Sequence, residues 1–167
     1  MCVNKEISIR PLRTGDGSFL CSIFRNNREY YEIFHDPADT VSQWENRVLH
    51  FLRQNEVIHY IVEASGVPVG WLSYADTQTG ERELCILVIH RERLSCGYGS
   101  AALSWLIGIS REAGIKSLLL NVSQTNERAI RFYRKFGFQI CGEETVPECN
   151  DVVNVKQYRM GRSLTEL

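Results

Sequence analysis

At 167 residues the chain has the length of one domain, enough to bury about two thirds of the surface its unfolded form exposes, so neither a disulfide scaffold nor a structural metal is required. Apolar residues make up 44% and charged residues 23%, proportions that exclude an intrinsically disordered chain. With 19 basic against 20 acidic side chains and a formal charge of −1, no electrostatic bias favours a phosphate backbone or an anionic bilayer, so neither nucleic acid nor membrane is an expected partner.

The six cysteines, Cys2, Cys21, Cys85, Cys96, Cys141 and Cys149, are scattered, with no C-x-x-C pair and no histidine at metal-ligand spacing. They read as free thiols in a reducing compartment, and no metal is expected. Met1 to Arg10 lacks the apolar centre of a signal peptide, and no apolar run approaches membrane-spanning length, so the expected location is cytoplasmic.

In chain order, Ile7 to Leu12 alternates apolar and polar residues before the turn-rich Thr14-Gly15-Asp16-Gly17, which predicts a short first strand. A helix with Phe19, Leu20, Ile23 and Phe24 on one face follows, then a loop over residues 26–39. Val41, Trp44, Val48, Phe51 and Leu52 recur at intervals of three and four and predict a second helix. Val57 to Ala64, Pro68 to Tyr74 and Arg82 to Ile89 read as strands of an antiparallel meander. Ala102, Trp105, Leu106, Ile109 and Ala113 share a helical face that Gly114 terminates, and Lys116 to Val122 is a buried strand. Arg82 to Val122 is thus a β-α-β unit whose strands should run parallel. Asn126 is the expected N-cap of a helix carrying Ala129, Phe132, Tyr133 and Phe136 and stopped by Gly137, and two strands, Phe138 to Glu144 and Val152 to Met160, close the chain. No repeat or linker interrupts residues 1–167, so one α/β domain with a mixed sheet is expected.

A strand ending at Val88-Ile89, a loop holding Cys96-Gly97-Tyr98-Gly99-Ser100 and a helix starting at once form an arrangement suited to an anion, because glycines admit a ligand close to the backbone and first-turn N–H groups point at it. The third glycine of a dinucleotide fingerprint and the lysine of a P-loop are missing, so on these residues alone an anion site and a plain strand-to-helix turn both stand.

Together with a second segment, this region resembles the GNAT superfamily of acyl-CoA N-acyltransferases. Its motif A, a strand, a loop Arg/Gln-x-x-Gly-x-Gly/Ala and a helix, is mirrored from Leu84 through Ile107. Its motif B, Asn-x-x-Ala-x-x-x-Tyr-x-x-x-Gly-Phe, is complete as Asn126, Ala129, Tyr133, Gly137 and Phe138. The element order agrees over nearly the whole chain, and Arg25-Asn26-Asn27 and Trp44 are similar to the branch of ribosomal-protein and amino-sugar acetyltransferases. One departure falls at Leu94, where the family carries Arg or Gln; Arg93 stands beside it.

The resemblance implies a GNAT-like fold, a mostly antiparallel sheet with one central parallel pair whose strands splay apart. It also implies acetyl-CoA as co-substrate and a small-molecule or peptide amine as acceptor. Leu87, Val88 and Ile89 would bond the pantetheine arm as an added strand bonds a sheet edge. Ser95, Cys96, Gly97, Tyr98, Gly99 and Ser100 would hold the diphosphate, with Asn126 and Ala129 beside the cofactor. Tyr133, two helical turns after Asn126, would protonate the departing thiolate, and Glu83 would accept the amine proton. His35, His59 and His90 are other titratable options. Read on residues alone, Tyr133 is an aromatic on an apolar helix face and Glu83 a solvated carboxylate.

The acceptor is expected between residues 30–39 and 147–151, where Glu32, Asp36, Glu148 and Asp151 would hold an ammonium group against Tyr30, Tyr31 and Phe34. Two other readings use the same glycine turn: a catalytically inactive acyl-CoA-binding module acting through a protein partner, and a mononucleotide-binding domain. The resemblance also admits a homodimer paired through the C-terminal strands.

Overall fold

The alternating segments assemble into one mixed sheet. The computed structural model describes residues 6–27, 40–147 and 154–165. Its strands are β1 (Ile7–Pro11), β2 (Ile58–Ala64), β3 (Val67–Asp76), β4 (Glu81–Ile89), β5 (Ser117–Ser123), β6 (Gln139–Pro147) and β7 (Asn154–Ser163), in the spatial order β1-β2-β3-β4-β5-β7-β6. The β4–β5 pair is parallel and every other neighbouring pair antiparallel, as the β-α-β reading predicts. The helices among the described residues are α1 (Gly17–Asn26), α2 (Val41–Arg53), α3 (Tyr98–Glu112) and α4 (Glu127–Lys135).

Both helix-stop glycines stand where expected: Gly114 and Gly137 have φ of 72° and 79°, left-handed values that a Cβ disfavours. Helix α2 opens on a capping box that pairs Thr40 with Gln43, the Gln43 N–H reaching Thr40 Oγ1 (3.3 Å) and the Thr40 N–H reaching Gln43 Oε1 (2.7 Å). The closing strand runs three residues past its expected end, to Ser163, because the ladder to β5 continues through Ser117↔Ser163.

Each face of the sheet is covered by a different helix pair. Leu103, Leu106, Leu118, Leu120, Phe138 and Met160 bury the α3/α4 side. On the other side Leu20, Ile23, Phe24, Trp44, Ile61 and Trp71 pack beneath α1 and α2, with Phe24 stacked on Trp44 at 4.6 Å between ring centroids. The two helices approach closely at Gly17, where an added Cβ would stand 2.6 Å from the Glu45 backbone nitrogen. Gly17→Ala must push them apart and is expected to cost about 1–3 kcal/mol, read as a lower urea midpoint.

Buried polar groups join the layers. Arg10 on β1 makes two 2.8 Å bonds to Asp16, which precedes α1, and one of 2.6 Å to Glu63 on β2. Arg82, at the start of β4, bonds Asp76 on β3 (2.6 and 2.9 Å) and Ser110 on α3 (3.1 Å), with its guanidinium 4.0 Å over the Tyr74 ring. This clamp fixes α3 to the sheet at the end where β4 and β5 are paired.

His59, one of the titratable options, belongs to the α1/α2 side, its ring stacked on Phe51 (4.5 Å) and Trp71 (5.6 Å). Burial pushes its pKa down to about 4 from 6.5. Between these values the unfolded chain binds a proton that the folded one refuses, so stability is full above about pH 6.5 and falls as pH drops toward 4. Thermal midpoints should decline across that window, and His59→Phe should flatten the decline.

Candidate active site

Strand β4 carries an irregularity at its middle. Opposite β3, Leu84 pairs with Tyr74 and Ile86 with Ser73, so Cys85 is an extra residue, a β-bulge. Two residues therefore separate Leu84 from Leu87, both of which pack toward α3 and α4. A bulge bends its strand, and here the parallel ladder ends beside it: β4 pairs with β5 from Glu81↔Ser117 to Leu84↔Leu120 and no further, although both strands continue. Beyond that pair the two strands diverge into a wedge.

The wedge opens into a cleft of about 490 Å³, of the size that small-molecule sites occupy. Leu87, Val88 and Ile89 form one wall, and Asn126, which caps α4, with Ala129 and Tyr133 of that helix another. Ser95, Gly97, Tyr98, Gly99 and Ser100 close its mouth. The structure thus brings together all the expected cofactor-side residues except Cys96. That side chain does not line the cleft and its sulfur is in a disulfide, so the expectation of six free thiols fails there; Cys21, Cys85 and Cys141 are in no disulfide.

The mouth has the geometry of an anion cradle. Ser95 and Gly97 both adopt left-handed backbone (φ 63° and 82°), which turns successive N–H groups toward one side. The first-turn N–H groups of α3 have no partner within the helix, no side chain caps it at Gly97, and a Cβ added there would meet nothing within 4 Å among the described residues beyond its chain neighbours. Arg93, Arg128, Arg131 and Lys135 add positive charge around the same opening. Glycine turn, open space and cationic rim fit a diphosphate, and the unzipped strands fit an extended chain carrying amides. The basic residues at 128, 131 and 135 are spaced for one face of α4, a periodicity legible in the sequence but not read from it.

Helix α4 presents its tyrosine to the cleft for local reasons. Asn126 Oδ1 accepts the Ala129 N–H at 3.1 Å, starting the helix, which leaves its Nδ2 donors for a ligand. Tyr133 is buried, its ring edge-on to Phe132 (5.3 Å) and Phe138 (5.7 Å). At the opposite wall, Asn27 lines the cleft and donates from Nδ2 to Ile23 O (2.8 Å) and Ile89 O (3.4 Å), while Asn26 Nδ2 lies 3.0 Å from His90 Nε2. The end of α1 is thereby joined to the end of β4, and His90 serves that junction.

Glu83 does not line the cleft. Its neighbours Arg82 and Leu84 are buried toward α3, so its side chain is on the other sheet face, 3.6 Å from Arg159 Nη1. Cys85, at the bulge, has its thiol pKa pushed up to about 11, first by burial and then by Glu83 nearby, so the thiol stays protonated near neutrality and is a poor nucleophile. Residues 30–36, 148 and 151, expected to receive the acceptor, and His35 lie outside the described residues. No helix among the described residues is long and apolar enough to cross a membrane, and these residues contain no cluster able to hold a metal ion.

Comparison with known proteins agrees with this geometry. The chain is 26% identical over 144 residues to the peptidyl-lysine N-acetyltransferase YjaB of Escherichia coli K12, covering 85% of this chain and 88% of that protein. Its fold matches the spermidine N-acetyltransferase of Vibrio cholerae, solved with CoA and spermine, at a TM-score of 0.79 with 18% identity over 95% of each chain. It also matches the ribosomal-protein-S18-alanine N-acetyltransferase of Escherichia coli at a TM-score of 0.71 with 16% identity, covering 97% of this chain and 96% of that one. A family model, that of the acetyltransferase (GNAT) family, matches residues 21–138. That span contains both the divided strand pair and the helix bearing Tyr133, and with it the chain belongs to the acetyltransferase (GNAT) family, its activity being acetyl-CoA-dependent N-acetyl transfer.

Proposed function

We propose that this protein transfers an acetyl group to a primary amine by direct attack in the wedge between β4 and β5, with Tyr133 as general acid and Glu83 as general base. The observation that carries this reading is the end of the ladder at Leu84↔Leu120, which opens one cleft lined by β4, the glycine turn and Tyr133. Bound acetyl-CoA supplies the activated thioester. First-turn N–H groups of α3, with Arg93 and Arg128, hold the diphosphate end. The N–H of Val88 or Ile89 donates to the thioester carbonyl oxygen, where negative charge develops. Glu83 takes the amine proton through water as the C–N bond forms, and Tyr133 Oη gives its proton to the sulfur as the C–S bond breaks.

Direct transfer is supported by the cleft lining, which among the described residues includes no cysteine to take the acetyl group first. The reading as an inactive acyl-CoA-binding module draws no support, since Asn126 and Tyr133 both line the cleft. Residues 1–167 form one domain, working in the cytoplasm, where acetyl-CoA is at hand. Strand β6 stands at the sheet edge with Ile140 and Cys141 exposed, which suits a homodimer paired through the C-terminal strands.

The acceptor belongs to the class of amines represented by a lysine side chain or a polyamine, the groups named for the similar proteins. Thiol release from acetyl-CoA across a panel of lysine peptides, protein N-termini, polyamines and amino sugars tests this. Turnover with at least one amine is expected; stabilisation by CoA without turnover on any amine would restore the inactive-module reading.

A further inference from the structure

The sheet face opposite α3 and α4 carries a polar cluster at the row where β4 and β5 part. On β5, Leu120 and Val122 are buried toward α3, so Asn121 between them points the other way; on β7, Tyr158 and Met160 pack toward α3 and α4, so Arg159 does too. Asn121 and Arg159 are paired residues, and Asn121 is the first residue beyond the last β4–β5 pair. Arg159 Nη1 lies 3.4 Å from Asn121 Oδ1, 3.6 Å from Glu83 Oε1 and 4.0 Å from Glu144 Oε1. One guanidinium thus reaches across β5 to β4 at the apex of the wedge.

Stability does not explain this arrangement well. Arg159 and Glu83 are 29% and 33% exposed, and partly exposed pairs at such separations contribute little to folding. What the contact does constrain is direction, since an unheld glutamate samples several rotamers and a proton acceptor must meet its proton within hydrogen-bond reach.

We propose that Arg159 is a positioning residue, which holds the Glu83 carboxylate at the apex of the wedge while Asn121 holds the guanidinium from the strand between. The inference rests on the assignment of Glu83 as base. Arg159 is not among the residues lining the cleft assigned to acetyl-CoA, so its removal acts on turnover through Glu83 and leaves donor binding alone.

The experiment is a cycle of Arg159→Met, Glu83→Gln and the double variant, with Arg159→Lys as the conservative replacement. Thiol release from acetyl-CoA is followed with spermidine, with a lysine peptide, and with water as the only nucleophile. Arg159→Met should lower kcat roughly tenfold, the lower range of a lost proton-transfer partner, with KM for acetyl-CoA and the thermal midpoint unchanged. Arg159→Lys should recover most of the loss, and the double variant should be no slower than Glu83→Gln alone. Losses that multiply in the double variant, or a rise in KM for acetyl-CoA with Arg159→Met, would overturn the positioning role while leaving Glu83 as base. Wild-type turnover by Glu83→Gln would overturn both assignments.

Discussion

Tyr133→Phe should bind CoA as tightly as the wild type yet turn over about a hundredfold more slowly, the lower part of the range for losing a general acid. The substitution removes one oxygen and keeps the ring, whose edge-on contacts with Phe132 and Phe138 hold that segment of α4. Packing, the cap at Asn126 and the cationic rim therefore persist, and the loss falls on kcat. Isothermal titration with CoA and steady-state thiol release together check this. A mutant as active as the wild type would remove Tyr133 from the chemistry, and one that also fails to bind CoA would give it a structural role.

Gly97→Val is expected to have the converse effect, raising the dissociation constant for CoA by roughly a hundredfold, the size of losing two tenfold contributions at about 1.4 kcal/mol each. Gly97 combines a φ of 82° with open space around the position of a Cβ. A β-branched residue disfavours that backbone and would fill the volume the cradle leaves for an anion. Because an added Cβ would meet nothing within 4 Å among the described residues beyond its chain neighbours, the stability cost is that of the backbone, about 1–3 kcal/mol. Binding titrations at low and high salt separate the loss of backbone contacts, which persists at both, from the screened attraction of Arg93, Arg128, Arg131 and Lys135.

Much of this was legible before the structure. The parallel β4–β5 pair followed from strand, helix and strand in sequence, the helix ends from Gly114 and Gly137, and the helix carrying Tyr133 from Asn126 and its apolar face. The feature that creates the site was not. Leu84 to Ile89 is an unbroken apolar run, and such a run has no alternation from which an extra residue at Cys85 shows itself. The bulge becomes visible only once β3 supplies a register against which to count.

Two arginines owe their roles to tertiary neighbours. Arg82, by type a surface residue, is buried because Asp76, Ser110 and the Tyr74 ring together satisfy its guanidinium. Arg159, unremarkable within β7, gains its significance from Glu83 two strands away, a relation that depends on strand order and that local spacing does not carry. The cleft's basic rim on α4 was readable as a helical stripe, whereas the contribution of Asn27 depends on the end of α1 meeting the end of β4.

A structure of the protein crystallised with CoA tests the assignment of the wedge as the donor site most directly. The pantetheine arm should lie between β4 and β5 beyond Leu84 and Leu120, the diphosphate against the N–H groups of residues 95–100, and the sulfur near Tyr133. Density for the ligand elsewhere, with the wedge between the two strands empty, would contradict that assignment.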